Sequence, residues 1–327
     1  MNTIRFFQKI SRFLASYTSP IIVLVAAITF VYPDLFRWVK GDVQTLVLGI
    51  IMLTMGMTLS TEDFKILAKR PLDIFIGAAA QYTLMPLIAW LLVKVMNLPP
   101  AVAAGLLLVG CCPGGVSSNI ITFLSRGDVA FSVGMTTAST LLAPVMTPLL
   151  MLYLAGDKIE INAWGMFKSI LIVTILPVAV GAVGNYLWGK KTAYKEFCQT
   201  MPGVSVIAFA CIVGGVITFN GAHFFDSGLV IFAVIFLHNA IGYITGYSVG
   251  FLTRMSQAQK RTVAIEVGMQ NAGLATNLAT HHFPGAPEAA LVSAVSCVWH
   301  SMSGTFLAGI FRIIDRKREK AAADGNN

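Results

Sequence analysis

Residues 262–275, TVAIEVGMQNAGLA, put a carboxylate where the surrounding sequence is apolar. Glu266, Gln270 and Asn271 stand between and beside the glycines at 268 and 273. If this stretch lies in a bilayer, a bare charge there costs at least ~3 kcal/mol on insertion scales. Something must compensate for it.

The composition puts it in a bilayer. The 327 residues are 56% hydrophobic and only 12% charged, against roughly 25% charged for a soluble domain. The apolar residues fall into ten runs, at about 16–33, 44–60, 71–96, 99–124, 128–155, 163–188, 201–219, 226–253, 258–282 and 287–312. Each is long enough to cross a membrane as a helix. None shows the alternation of a barrel strand, and only helices and closed barrels satisfy their backbone in lipid. The predicted fold class is therefore an all-α polytopic membrane protein. Residues 3–13, TIRFFQKISRF, alternate cations with aromatics and Ile, so the N-terminal segment 1–15 suits either an amphipathic helix lying on the membrane surface or a solvated helix extension. Of the polar cytoplasmic tail, 315–327, the stretch KREKAAADGNN (317–327) is expected to be disordered.

Orientation follows from the cations. Eighteen of the 23 Lys and Arg fall at the two ends and in alternate connectors, and three in the other set; Lys94 and Lys168 complete the number inside spans. By the positive-inside rule both termini are cytoplasmic, which requires an even number of spans. The net charge of +8 thus reflects topology, and the dispersal of the basic residues argues against a nucleic-acid partner. Five cysteines, at 111, 112, 198, 211 and 297, have neither a CxxC nor a metal spacing and read as packing residues. No obligate protein partner is evident.

The chain divides at the connector 157–162 into residues 16–156 and 163–314, with five spans each. Five is odd, so two similar halves would face opposite ways, an inverted repeat common among secondary transporters. The fourth span of each half is interrupted. In the first, GCCPGGVSSNIITFLSRGD (110–128) sets Pro113, Gly114 and Gly115 before Ser117, Ser118 and Asn119. The former stop a helix and the latter start one. In the second, Gly268 and Gly273 flank Gln270 and Asn271. Broken backbone at this depth offers N–H groups to an anion and carbonyls to a cation.

Of the fifteen acids, Glu266 alone lies well inside a span, and no Lys or Arg shares its depth. Its natural partner is mobile and positive, a proton or a metal cation. Neutral oxygen donors surround it. Gln270 is expected one helical turn on, on the same face; Ser132 and Thr136 face together on the fifth span. Ser118 and Asn119 stand at the first break, and Gln81 lies deep in the third span. Such donors suit a hard ion; the same residue types also serve as hydrogen-bond glue between membrane helices. His300, beside Ser301, is placed to meet an anionic substrate, whereas His238 reads as a packing residue and His281 and His282 as residues of an outer connector.

Together GCCPGGVSSN, TFLSRGDVAFSV, LHNAIGY, IEVGMQNAGLA and VWHSMSG resemble the bile acid:sodium symporter family. The likeness is greatest to bacterial homologues of the apical sodium-dependent bile acid transporter and to pantothenate-precursor transporters. It runs from about residue 15 to 312. The resemblance implies ten helices in two inverted five-helix repeats, with a panel domain (spans 1, 2, 6 and 7) and a core domain (spans 3–5 and 8–10) in which the broken spans cross. It implies uptake of an organic anion coupled to two sodium ions, with no other cofactor. One sodium would lie among Ser118, Asn119, Ser132, Thr136 and Glu266. The other would use Gln81, Gln270, Glu266 and the main-chain carbonyls of Val267 and Met269. The substrate carboxylate would meet Val116, Ser117 and Asn271, with His300 and Ser301 nearby. Related members often carry Thr where this chain has Val116 and Asn where it has Ser301, so the sodium positions match the family more closely than the substrate positions.

The expected function is a sodium-coupled symporter of the bacterial inner membrane for a small monocarboxylate such as pantoate or ketopantoate, with bile acids also accepted because the cavity is amphipathic. The alternative is a proton-coupled or uncoupled exporter of organic or metalloid anions with the same architecture. A membrane enzyme would need a paired acid–base, nucleophile or metal constellation at depth, and a glutamate with no second carboxylate does not supply one.

Overall fold

The computed structural model describes residues 2–60, 70–156 and 159–324, and within them every regular element is a helix. Helix α1 (Asn2–Ser16) bends by 77° into α2 (Thr18–Val31). There follow α3 (Asp42–Thr58), α4 (Pro71–Val95), α5 (Pro100–Cys111), α6 (Ser118–Leu124) and α7 (Val129–Ala155). Helix α8 (Ala163–Trp188) contains one π-helical turn at Leu171–Ile175. Then come α9 (Thr192–Cys198), α10 (Met201–Asn220) and α11 (Ala222–Leu252). The chain ends with α12 (Gln257–Gly268), α13 (Ala272–His282) and α14 (Pro287–Asp324).

Among the described residues six stretches are long and apolar enough to cross a bilayer: α4, α7, α8, α9 with α10, α11 and α14. The bent pair α1–α2 is a seventh if counted as one span. The expected span at 44–60 appears as the shorter apolar helix α3. Those at 99–124 and 258–282 appear as α5 plus α6 and α12 plus α13, each cut where the sequence suggested. The molecule is thus an all-helical, polytopic integral membrane protein. Its outer surface agrees. Leu152, Tyr153, Leu229 and Phe251 stand 55–85% exposed, as suits side chains solvated by lipid, while α5 is buried from Val102 to Cys111.

Local chemistry sets the helix ends. Proline opens α4 and α5, where its missing N–H is not needed. Asp128 caps α7 by accepting from Phe131 N at 3.1 Å, and Ser256 and Gln259 form a capping box at the start of α12. The C-terminal tail departs from expectation. Instead of losing order from residue 317, α14 continues to Asp324. Arg126 hydrogen-bonds Glu319 at 2.7 Å, which ties that extension to the α6–α7 turn. Residues 157–158 of the inter-repeat connector, the cations Lys65 and Lys69 and the last three residues of the tail lie outside the described residues.

Packing falls into two neighbourhoods. Helices α2, α10, α3 and α8 pack in series, each against the next, with α1 on α10. Helices α4, α5, α7, α11, α12 and α14 gather around the two breaks. Between the two, α7 packs along the first half of α8, α13 touches α3 and α8, and α14 touches α10 and α2.

Candidate functional site

The first break begins at Cys112. It precedes proline, which disfavours helical backbone, and adopts φ −75°, ψ 159°. The second begins at Met269, extended at φ −106°, ψ 103°. The two extended pieces cross and pair. Gly115 N donates to Met269 O at 2.8 Å, and Asn271 N donates to Pro113 O at 2.8 Å. Gly114 and Gln270 form an antiparallel bridge. Each break thereby satisfies backbone groups that the other leaves open, which membrane depth requires.

Glycine is needed for this approach. A Cβ on Gly115 would stand 2.8 Å from Gln270 O, and one on Gly114 3.0 Å from Glu266 Oε2. At Gly268 a Cβ would meet the Tyr243 ring at 2.2 Å. Beyond the crossing, Asn271 restarts the helix by accepting from Leu274 N at 3.0 Å.

Glu266 lies beside the crossing, 1% exposed. Its carboxylate accepts from Ser118 Oγ at 2.5 Å, from Thr136 Oγ1 at 2.8 Å and from Ser132 Oγ. Ser132 also approaches Asn119 Oδ1 at 2.8 Å and Thr122 Oγ1 at 3.2 Å. Among the described residues no ion pair includes Glu266. Three hydroxyls therefore share its charge without neutralising it. Every donor in the group is oxygen, the chemistry that holds an alkali cation.

The remaining predicted residues form a second group. Gln81 Nε2 donates to Gln270 Oε1 at 2.6 Å and reaches Cys112 O at 3.4 Å. Gln270 Nε2 donates to Val267 O at 2.7 Å. One correction follows. Gln270 does not continue the Glu266 face, because α12 ends at Gly268 and the break carries Gln270 across to Gln81. The Met269 carbonyl is engaged by Gly115 N and keeps one lone pair.

Around the crossing, buried polar atoms go unpartnered. Gln81 Oε1, Asn271 Nδ2 and both ring nitrogens of His300 find no hydrogen bond among the described residues, although the His300 ring lies beside the Gln270 main chain. His300 is 3% exposed. Ser301 instead donates to Cys297 O at 3.2 Å along its own helix. Val116 and Ser117 are half-buried in the turn before α6. Three other histidines are engaged elsewhere. His238 bonds Met85 O at 3.0 Å; His281 joins Thr45 at 3.2 Å, and His282 joins Ser169 at 3.0 Å.

A family model described as the sodium bile acid symporter family matches residues 45–227. The chain belongs to that family. A Bacillus subtilis protein named as a sodium-dependent transporter, YocS, is 41% identical over 98% of both chains. A probable sodium/metabolite cotransporter of the Arabidopsis thaliana chloroplast, BASS1, is 44% identical over 86% of this chain and 69% of its own. A Bos taurus sodium-dependent organic anion transporter is 30% identical over 84% of this chain and 74% of its own. Membership of the sodium bile acid symporter family makes sodium-coupled transport the activity to which the geometry is referred.

Several residues at the site of this family member had no assigned role in the sequence. Ser139 Oγ accepts from Gly114 N at 3.3 Å, and Tyr82 Oη donates to Ser139 O at 2.6 Å. Asn239 Nδ2 donates to Gly268 O at 2.8 Å, closing the carbonyl that ends α12. Asn239 sits in LHNAIGY, and Ser139 lies one turn beyond Thr136, so spacing carried a signal for both.

Proposed function

We propose that the protein is a sodium-coupled symporter of a small organic monocarboxylate, pantoate or ketopantoate being the type case, with bile acids accepted by an amphipathic cavity. It is a bacterial inner-membrane protein with both termini cytoplasmic. Its ten membrane helices form two inverted repeats, broken in the fourth and ninth. Helices α2, α3, α8 and α10 form the panel; α4–α7 and α11–α14 form the core.

The observation that carries this reading is the setting of Glu266: a buried carboxylate with three hydroxyl donors and no cationic side chain. Sodium entering this cluster is held by Glu266, Ser118, Ser132, Thr136 and Asn119. The second sodium is held by Gln81, Gln270, Glu266 and the carbonyls of Val267 and Met269. The hydroxyls turn their oxygens from the carboxylate to the ion, which neutralises the buried charge. With its charge balanced, the cluster stops repelling an anion, and the crossing segments are fixed in one arrangement. The anion then meets Asn271, Ser117 and Val116 at the two helix starts, with Ser301 and the unpartnered His300 ring of α14 beside it. Core and panel rock to expose the loaded site to each side in turn.

Sodium-gradient uptake is the test. Vesicles containing the protein take up labelled pantoate or taurocholate when sodium is outside, and little with potassium or choline. Equal uptake in all three salts removes sodium coupling.

A further inference from the structure

Helix α1 meets the protein through its polar edge and offers the rest to its surroundings. Gln8 Nε2 donates to Glu196 O at 3.1 Å, and Gly203 N donates to Ser11 Oγ at 2.9 Å. The fit is close: a Cβ on Gly203 would stand 2.7 Å from Ser11 Cα. On the far side Phe6 and Phe13 are 60% and 59% exposed. Because α1 bends by 77° from α2, it runs nearly in the membrane plane when α2 crosses. It therefore buries those aromatics at the lipid boundary.

A third edge of α1 carries Arg5, Lys9 and Arg12, all exposed. Helix α9, in contact with α1, begins just after Lys190 and Lys191 and contains Lys195, and these three are exposed as well. None of the six cations is ion-paired among the described residues. Below them, between α1 and the start of α10, lies an apolar groove of about 310 Å³. It is lined by Ile4, Ile10, Leu14, Phe197, Val204 and Ile207 among others. That volume reaches the range of small-ligand sites, roughly 300–1,000 Å³.

We propose that this corner binds an anionic phospholipid, its phosphate among Arg5, Lys9, Arg12, Lys190, Lys191 and Lys195 and an acyl chain in the groove between α1 and α10. Clusters of about four to eight cations on an amphipathic helix or beside a membrane span attract anionic lipid. The groove distinguishes a seated lipid from a diffuse counter-ion layer. A free phosphate satisfies the cations and leaves the apolar lining empty; a zwitterionic lipid fills the groove with no net charge for the cations. The site needs α1 at a membrane surface, on either side, and is independent of sodium coupling.

The test uses the full-length protein, purified in neutral detergent and heated with phosphatidylglycerol, phosphatidylcholine or inorganic phosphate. Phosphatidylglycerol is expected to raise the unfolding temperature by several degrees and the other two to leave it nearly unchanged. The shift should shrink by more than half in Arg5→Gln/Lys9→Gln/Arg12→Gln and in Lys190→Gln/Lys191→Gln/Lys195→Gln. It should shrink also in Val204→Phe, which fills the groove and keeps every charge. Circular dichroism and a monodisperse elution profile establish that each variant is folded. Equal shifts with phosphatidylcholine, an undiminished shift in both charge variants, or a phosphate shift as large as the lipid's overturns the site.

Discussion

At the residue scale, Glu266 is the one fully buried carboxyl group among the described residues, and hydroxyls surround it. Ser132→Ala and Thr136→Val each delete one of those oxygens. Charge-assisted contacts contribute about 1.5–3 kcal/mol, and every 1.4 kcal/mol is roughly tenfold in affinity. Each variant should therefore bind sodium about tenfold or more weakly, read from sodium titrations of the unfolding temperature. Unchanged sodium dependence in both would reduce the hydroxyls to interhelical glue. The sequence disclosed this cluster well, because Glu266 is anomalous in an apolar run and Ser132 and Thr136 share a helix face whatever they pack against. Gln270 was less legible. Its spacing from Glu266 suggested a shared face, but the backbone leaves the helix at Gly268, and the partner becomes Gln81 instead. Thr122 and Ser139 could not be found by depth alone, since ordinary hydrogen-bonded Ser and Thr occur throughout these helices.

At the scale of elements, two half-helix pairs are joined where they break. Gly115→Ala places a methyl against the Gln270 carbonyl, and overpacking of this kind costs about 1–3 kcal/mol. The expected outcome is a lower unfolding temperature with sodium-driven uptake reduced more than stability alone explains, measured on purified and reconstituted variant. Normal stability and uptake in the Gly115→Ala variant would show that the close crossing is not required. Asn271→Ala removes the cap of α13, a change of about 1 kcal/mol, together with an amide at the crossing. The breaks themselves were legible, because Pro113 and the glycines beside it cannot continue a helix. Their mutual pairing was not, since a bond between residues more than 150 positions apart has no local signature. The tail misled for a related reason. Its polar composition suggested disorder, whereas the contact of Glu319 with Arg126 gives α14 something to extend towards.

At the scale of the whole molecule, one buried guanidinium ties together segments far apart in the chain. Arg261, 3% exposed, pairs through both terminal nitrogens with Asp315 and also donates to Ser125 O at 2.9 Å, so α12, α14 and the turn after α6 meet at one guanidinium. From sequence alone it counted only as a positive-inside charge. Breaking a buried pair costs about 3–5 kcal/mol, so Asp315→Asn should sharply lower thermal stability while the folded fraction keeps its response to sodium. The mechanism also carries a thermodynamic constraint. If sodium strengthens anion binding by some factor, the anion must strengthen sodium binding by the same factor. Calorimetric titration of pantoate into purified protein across a sodium series, in wild type and Glu266→Gln, reads that factor. Affinity that climbs with sodium in the wild type and stays flat in the variant is expected. Affinity indifferent to sodium in the wild type, or equally responsive in the variant, would contradict the assignment of the coupling ion to Glu266.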